Sequence, residues 1–350
     1  MNGLITYGGV VTKIRAMQGH LLSDEDFRML SALPDVQALT AFLREHPGYK
    51  ESLSRMGSHG NHREPVEQRI TDALLYDYVR IYQFSSGELR NFLKYYARRF
   101  EVRFIKSMMT RAAVLDKDDQ IPLPHAEIDR KVFYDNYTCL DFERLTKASS
   151  IGDVLESLAD TPYADPLRRV AESPNADMFR YETAIDLFYF SEMWKSRKEI
   201  GGTDEDLLTE FLGTRADLLN MWQIHRARTW YRMDPVEIYA ITLPMLYRIS
   251  KNDIRSLVEA PSAEQFEAVL KDTWYARKYP EFSSETLPHM YTAINRDIIR
   301  SAARRAPYSI ATPYYYLYSK EHEIYRLTSL TECLRYSIPP EETYAAVIRR

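Results

Sequence analysis

Three acids recur at matched positions and are the first candidates for chemistry. Aligning FEVRFIKSMM (100–109), ADLLNMWQIH (216–225) and HEIYRLTSLT (322–331) superposes Glu101, Asp217 and Glu323. A carboxylate on a buried face can serve as a general acid or base once its surroundings shift its pKa. Three matched acids point elsewhere, to one structural task carried out three times, because a catalytic centre needs one site to differ in chemistry from its copies. The expected task is pairing, such as an ion pair to a neighbouring lobe. Arg99 and Arg215, two residues before their acids, turn away from them on a helix.

Other candidates are weaker. Asp116, Asp118 and Glu127 fall at positions 1, 3 and 12 of a calcium loop, but position 6 is Ile121 where the sharp turn needs Gly, and Pro122 and Pro124 follow. The stretch reads as an acidic, solvated linker. His59 and His62 in SHGNH have no Cys or carboxylate at ligand spacing, so no metal is expected. HExxH, GxSxG, the P-loop and GxGxxG are absent, so neither a catalytic residue nor a cofactor is expected. Two features suit partner contact. The aromatic run Pro313-Tyr314-Tyr315-Tyr316-Leu317-Tyr318 reads equally as an interface patch, centred on Tyr315 and Tyr316, or as the packed start of the last long helix. Arg300, Arg304 and Arg305 share one helix face, to meet an acidic partner or stay wet.

The elements that hold these residues are helical. Glycine is scarce at 12 residues, amphipathic runs are long, and period-two alternation is rare, so the fold class is all-α. A helix over Tyr7–Met17 leads to a second capped at Ser23 or Asp24. A further segment is written three times: LSALPDVQALTAFLREHPGY (30–49), LTKASSIGDVLESLADTPY (145–163) and LVEAPSAEQFEAVLKDTWY (257–275). Each carries a Leu, a second Leu thirteen residues on (Leu43, Leu158, Leu270), and a closing Tyr (Tyr49, Tyr163, Tyr275). The columns Val36, Leu39, Leu43; Ile151, Val154, Leu158; and Ala263, Phe266, Leu270 line one helical face. Ser150 with Asp153 and Ser262 with Gln265 supply caps, the latter as a capping box.

After each Tyr a loop leads into two long helices, about 65–84 and 86–115, 178–198 and 204–231, and 285–305 and 313–336. The Tyr spacings of 114 and 112 residues divide the chain into three. A period of this length marks a repeat architecture. Three pseudo-symmetric helical lobes are expected, at 1–118, 119–235 and 236–350.

Charge excludes a dedicated nucleic-acid binder: 46 basic and 50 acidic residues give a net −4. Two cysteines, Cys139 and Cys333, form no framework and suit a reduced, cytoplasmic setting. The uncharged run Ala306–Ser319 is 14 residues and holds two prolines, too short to span a bilayer.

With these parts assembled, the chain resembles a known family. Tyr7, KIRAMQGHLLSDEDFRMLSAL (13–33), the Leu…Leu…Tyr unit and RRFEVRFIKSMMTRAA (98–113) look like the central-stalk subunit of V-type rotary ATPases, called C in bacteria and archaea and d in eukaryotes. TRADLLNMWQIHRAR (214–228), SKEHEIYRLTSL (319–330) and SIPPEET (337–343) fit the same family. The resemblance implies a funnel of three lobes that sits on the membrane rotor ring, holds the central axle subunits and carries torque without catalysis. It also implies membrane association through the complex only, and no homo-oligomer. HPGY replaces the TPY and TWY of the other two copies, which touches only the local turn. Two rivals remain open from residues alone: a helical-repeat scaffold of an unrelated complex, with an open concave arc, and an all-α enzyme using one of the three acids.

Overall fold

The structure is a computed structural model that describes residues 2–54, 63–114, 127–174 and 176–348. The SHGNH loop and the acidic run 116–120 lie outside the described residues. Within them the structure is all-helical, with no strand, and the helices are described in three runs set by the repeated sequence segments.

The first run is α1 (Asn2–Gln18), α2 (Asp24–Ser31), α3 (Val36–Glu45), α4 (Lys50–Leu53), α5 (Arg63–Gln83) and α6 (Gly87–Val114). The second is α7 (Glu127–Tyr137), α8 (Phe142–Thr146), α9 (Ile151–Ser157), α10 (Ala164–Ala171), α11 (Met178–Ile200) and α12 (Gly202–Thr229). The third is α13 (Pro235–Ile241), α14 (Lys251–Val258), α15 (Ala263–Lys271), α16 (Trp274–Lys278), α17 (Leu287–Arg305) and α18 (Ala311–Arg335), with α19 (Pro340–Ile348) after it. The short helices α4 and α10 begin directly after Tyr49 and Tyr163, and α16 begins one residue before Tyr275, where the sequence pattern suggests a loop. At 4 and 5 residues, α4 and α16 are too short to show a 3.6-residue period.

Local chemistry sets the helix starts. The Ser23 hydroxyl accepts from the Asp26 N–H, while the Asp26 carboxylate accepts from the Ser23 N–H, a reciprocal capping box. Ser150 with Asp153 and Ser250 with Asp253 repeat it. At Ser262 only the forward bond from the Gln265 N–H forms, so the capping box expected there is a simple cap, and the reciprocal boxes fall on Ser–Asp pairs and on Asp234 with Glu237. Each such cap contributes about 1 kcal/mol. The tight connection between α11 and α12 rests on Gly201 and Gly202, both at positive φ (68° and 58°), a backbone region that side chains with a Cβ disfavour.

The chain divides into two compact units. Unit 1 comprises residues 1–90 and 296–350, and unit 2 residues 91–295. In unit 1, α18 packs along α5 and α1, and α19 lies over α2 and α18. In unit 2, α11 packs on α12 and α10 on α11. The apolar columns point into these cores. Leu39, Leu43, Val154, Leu158, Phe266 and Leu270 are buried, whereas Val36, Ile151 and Ala263, in the first turns, sit nearer the surface. Val102, Ile105, Met108, Leu218, Met221, Ile224, Ile324, Leu327 and Leu330 are all buried behind the three acids.

Candidate functional site

The three acids and the three repeat tyrosines meet, each acid with the Tyr of the next copy. Tyr163 donates its hydroxyl to Glu101 at 2.6 Å, Tyr275 to Asp217 at 2.9 Å, and Tyr49 to Glu323 at 2.6 Å. The order is cyclic, copy one to two, two to three, three back to one. All six side chains are buried. Burial and the adjoining carboxylate push all three phenols well above the ordinary tyrosine range, so each stays a neutral donor. The 2.6 Å bonds to Glu101 and Glu323 have the length of strong, charge-assisted O–H to carboxylate bonds.

Each acid also holds backbone at the other end of the same helix pair. Glu101 accepts from the Cys139 N–H at 2.9 Å, two residues before the Asp141 cap of α8. Glu323 accepts from the Leu22 N–H, just before the Ser23 cap of α2. Asp217 accepts from the N–H groups of Tyr247, Arg248 and Ile249 at 3.0, 2.6 and 3.3 Å, just before the Ser250 cap of α14. One carboxylate on a long helix therefore clamps both ends of the following copy's short-helix pair. The partners of Glu101 and Asp217 are hydroxyl and backbone donors. The ion pair expected to a neighbouring lobe is absent from these contacts, because a buried carboxylate is satisfied by several N–H and O–H groups without burying a second charge.

Around this shared geometry the clamps differ. Three residues before each acid stand Arg98, Thr214 and Lys320. Lys320 is 1% exposed, and its ammonium lies 2.8 Å from Glu323, 3.4 Å from the Gly48 carbonyl and 3.6 Å from the Tyr49 ring centre. Arg98 pairs instead with Glu192 on α11 at 2.8 Å. Four residues before each acid stand Ala97, Gly213 and Ser319. A Cβ at 213 would stand 2.5 Å from the Tyr247 Cβ, so glycine is needed for the 247–249 backbone to lie against α12. That close approach also explains the shorter acid, Asp, in this clamp alone. Burial pushes the Asp217 carboxyl up to about 6, against the pull of its four donors toward the ionised form.

A second device was missed by sequence reading. Arg111 donates to the Thr146 and Ala148 carbonyls at the end of α8, and Arg228 to the Val258 and Ala260 carbonyls at the end of α14. Both satisfy carbonyls that a helix end leaves unpaired. Their positions, ten and eleven residues after Glu101 and Asp217, are the signal that could have revealed them.

Among the described residues, no three His, Cys, Asp or Glu side chains are placed to share a metal ion. Comparison with known proteins supplies the identification. Residues 10–346 match the family model described as ATP synthase (C/AC39) subunit. The chain belongs to that family. The C subunit of the A-type ATP synthase of Thermococcus kodakarensis is 23% identical, the match covering 94% of this chain and 87% of that protein. Its counterpart in Methanosphaera stadtmanae is 21% identical over 94% and 84% of the two chains. The counterpart in Halorubrum lacusprofundi is 27% identical over 73% of each.

For this member of the family, no described helix is long and apolar enough to cross a membrane. Of the residues suggested for partner contact, Tyr316 needs correction: it is buried and donates to Asp77 at 2.6 Å, so it is core of unit 1, with Tyr315 half-buried beside it. The run at 314–317 starts α18 against α5. Arg300, Arg304 and Arg305 are exposed.

Proposed function

We propose that this chain is a non-catalytic coupler in the rotor of a V-type or A-type ATPase, joining the central axle subunits to the membrane rotor ring and transmitting torque for proton or sodium transport. Family membership over residues 10–346 carries the reading. The clamps support it. A torque-bearing part must resist shear between its segments, and each long helix here grips the next copy through a buried charge-assisted contact instead of through apolar packing alone. Apolar packing is non-directional, whereas a bidentate carboxylate fixes two points at once. The three copies would form lobes at 1–118, 119–235 and 236–350.

The test is a pull-down with purified axle subunits and with the detergent-solubilised ring. Binding to both, with no ATP hydrolysis by the chain alone, is expected. Failure to bind either would remove the proposal. In a reassembled complex, Glu323→Ala should leave ATP hydrolysis in place while ion pumping falls.

A further inference from the structure

One helix of unit 2 is apolar on two sides. Along α11, Tyr181, Ile185, Tyr189 and Met193 are buried. A surface helix ordinarily turns charged residues outward on its other face. Here Thr183, Ala184, Leu187, Phe188 and Ser191 follow one another on that face, all uncharged and only half-buried. They floor a groove of about 790 Å³ that runs along α11 from Phe179 to Lys195. That span is about 24 Å, roughly four turns of helix, at about 1.5 Å per residue. Helix α10 lines the groove through Pro166, Arg169 and Val170, and α13 through Glu237, Ala240 and Ile241.

The charges that line this groove are unevenly engaged. Asp165 pairs with Arg168 at 2.5 Å, and Glu192 with Arg98 and Lys195 at 2.8 and 3.0 Å. Asp177 and Glu237 accept backbone N–H groups at the starts of α11 and α13. Every acid of the groove is therefore satisfied. Arg169 and Arg180, on two different helices, are exposed and pair with no acid among the described residues. Phe179 is left 51% exposed at the start of the floor. Met233 also lines the groove, directly after the turn at Arg232, whose φ of 50° is uncommon for a residue with a Cβ. Methionine is an adaptable side chain at binding surfaces. The floor has a fixed backing, since the Phe188 ring meets Tyr163 of the first clamp edge-on at 5.1 Å.

We propose that this groove holds an acidic amphipathic helix of a partner protein, its apolar face against Leu187 and Phe188 and its acids meeting Arg169 and Arg180. An uncharged floor of helical length, with unpaired cations beside it, complements both faces of such a helix. A small acid would engage the arginines and leave most of the floor in water. A basic helix would meet two uncompensated positive charges. The proposal does not rest on the rotor reading, because the groove lies wholly within unit 2 and the isolated chain carries it.

The test is selection on the purified full chain from a phage-displayed library of peptides about 18 residues long, enough for the groove at about 1.5 Å per residue. Recovered peptides are then measured by fluorescence anisotropy. They should repeat apolar residues at i, i+3 or i+4 and i+7, carry an excess of Asp and Glu, and gain helical circular dichroism on binding. Affinity should fall as salt rises from about 0.05 to 0.5 M. Arg169→Gln/Arg180→Gln should weaken binding about tenfold, near threefold per arginine. Leu187→Ser should also lose about tenfold. Arg300→Gln/Arg304→Gln, on α17, should bind as wild type. If Leu187→Ser does not fold, Thr183→Glu takes its place, setting a like charge against the helix with the same expected loss. Enrichment of basic or extended sequences, no enriched helical sequence, or an equal loss in the Arg300/Arg304 variant would overturn the proposal. So would binding of dodecanoate with the same arginine dependence and no helical peptide recovered, which would make the ligand a small acid.

Discussion

The clamp at Asp217 and the clamp at Glu323 solve one geometric problem by different chemistry. At Asp217 the acid is short, glycine at 213 lets the backbone close in, and four neutral donors surround one carboxylate. At Glu323 the acid is long, fewer donors reach it, and a buried ammonium from Lys320 supplies the balance. The lesson is that a position can keep its role while its neighbours change: acid length, the residue four before it and the residue three before it vary together. The turn before the Tyr differs as well. Thr161 and Thr273 accept from backbone N–H groups in their turns, while in copy one the His46 Nδ1 accepts from the Gly48 N–H at 3.2 Å.

The largest effect should come from Glu323→Ala, which strands Lys320 in the core of unit 1 and lowers stability by about 4 kcal/mol. Asp217→Ala leaves only neutral donors and should cost about half as much. All four tryptophans, Trp194, Trp222, Trp230 and Trp274, lie in unit 2. Tryptophan fluorescence during urea unfolding therefore follows unit 2, and hydrogen exchange on α18 follows unit 1. Equal losses in the two variants would break the contrast. Comparable in size to Asp217→Ala is Gly213→Ala, expected to cost about 2 kcal/mol through the clash with Tyr247, despite its better helix propensity. Ser319→Ala, the matched position in unit 1, should stay within about 0.5 kcal/mol. Tyr275→Phe should then cost about 1.5 kcal/mol, measured by the shift in the fluorescence midpoint.

The two clamps also differ in the sign of their pH dependence. Asp217 has its pKa raised to about 6 from an unfolded value near 3.9. The folded state then binds the proton more tightly, so its contribution is full below about pH 4 and is lost as pH rises through 6. His46 is shifted the other way: burial lowers its pKa below the ordinary value. Its contribution is full above about pH 6.5 and is lost as pH falls through the depressed folded value. Glu323, Lys320, Asp26 and His20 act on it from the surrounding elements. Urea midpoints across pH 4 to 7 should show that Asp217→Asn flattens a fall with rising pH in unit 2. His46→Thr should flatten a fall with acidification in unit 1. Parallel slopes in both would refute the assignment.

How much of this was legible differs residue by residue. The columns holding Glu101, Asp217 and Glu323, and those holding Tyr49, Tyr163 and Tyr275, could be read because recurrence is visible in one dimension. Their pairing could not, since it links each acid to the following copy, across 62, 58 and 274 residues. Lys320 offered no signal either. A lysine on an amphipathic helix ordinarily sits in water, and only the fold reveals that α18 turns it inward onto Tyr49. The long helices were readable within a few residues because runs of 19 to 28 residues between turn signals are too long for strands, although α12 and α18 bury residues on several faces and show little one-sided period.

The span of 274 residues between Tyr49 and Glu323 also sets an order on synthesis. At about 5–20 residues per second, Tyr49 leaves the ribosome roughly 15–55 s before its acceptor is made. Unit 2 is continuous, and both of its acid–tyrosine pairs are complete once residue 275 has emerged. Unit 1 begins first and finishes last. Through that interval Tyr49, Leu39 and Leu43 have no α18 to bury them, so the first 90 residues are the part of the nascent chain most exposed to chaperones and proteases.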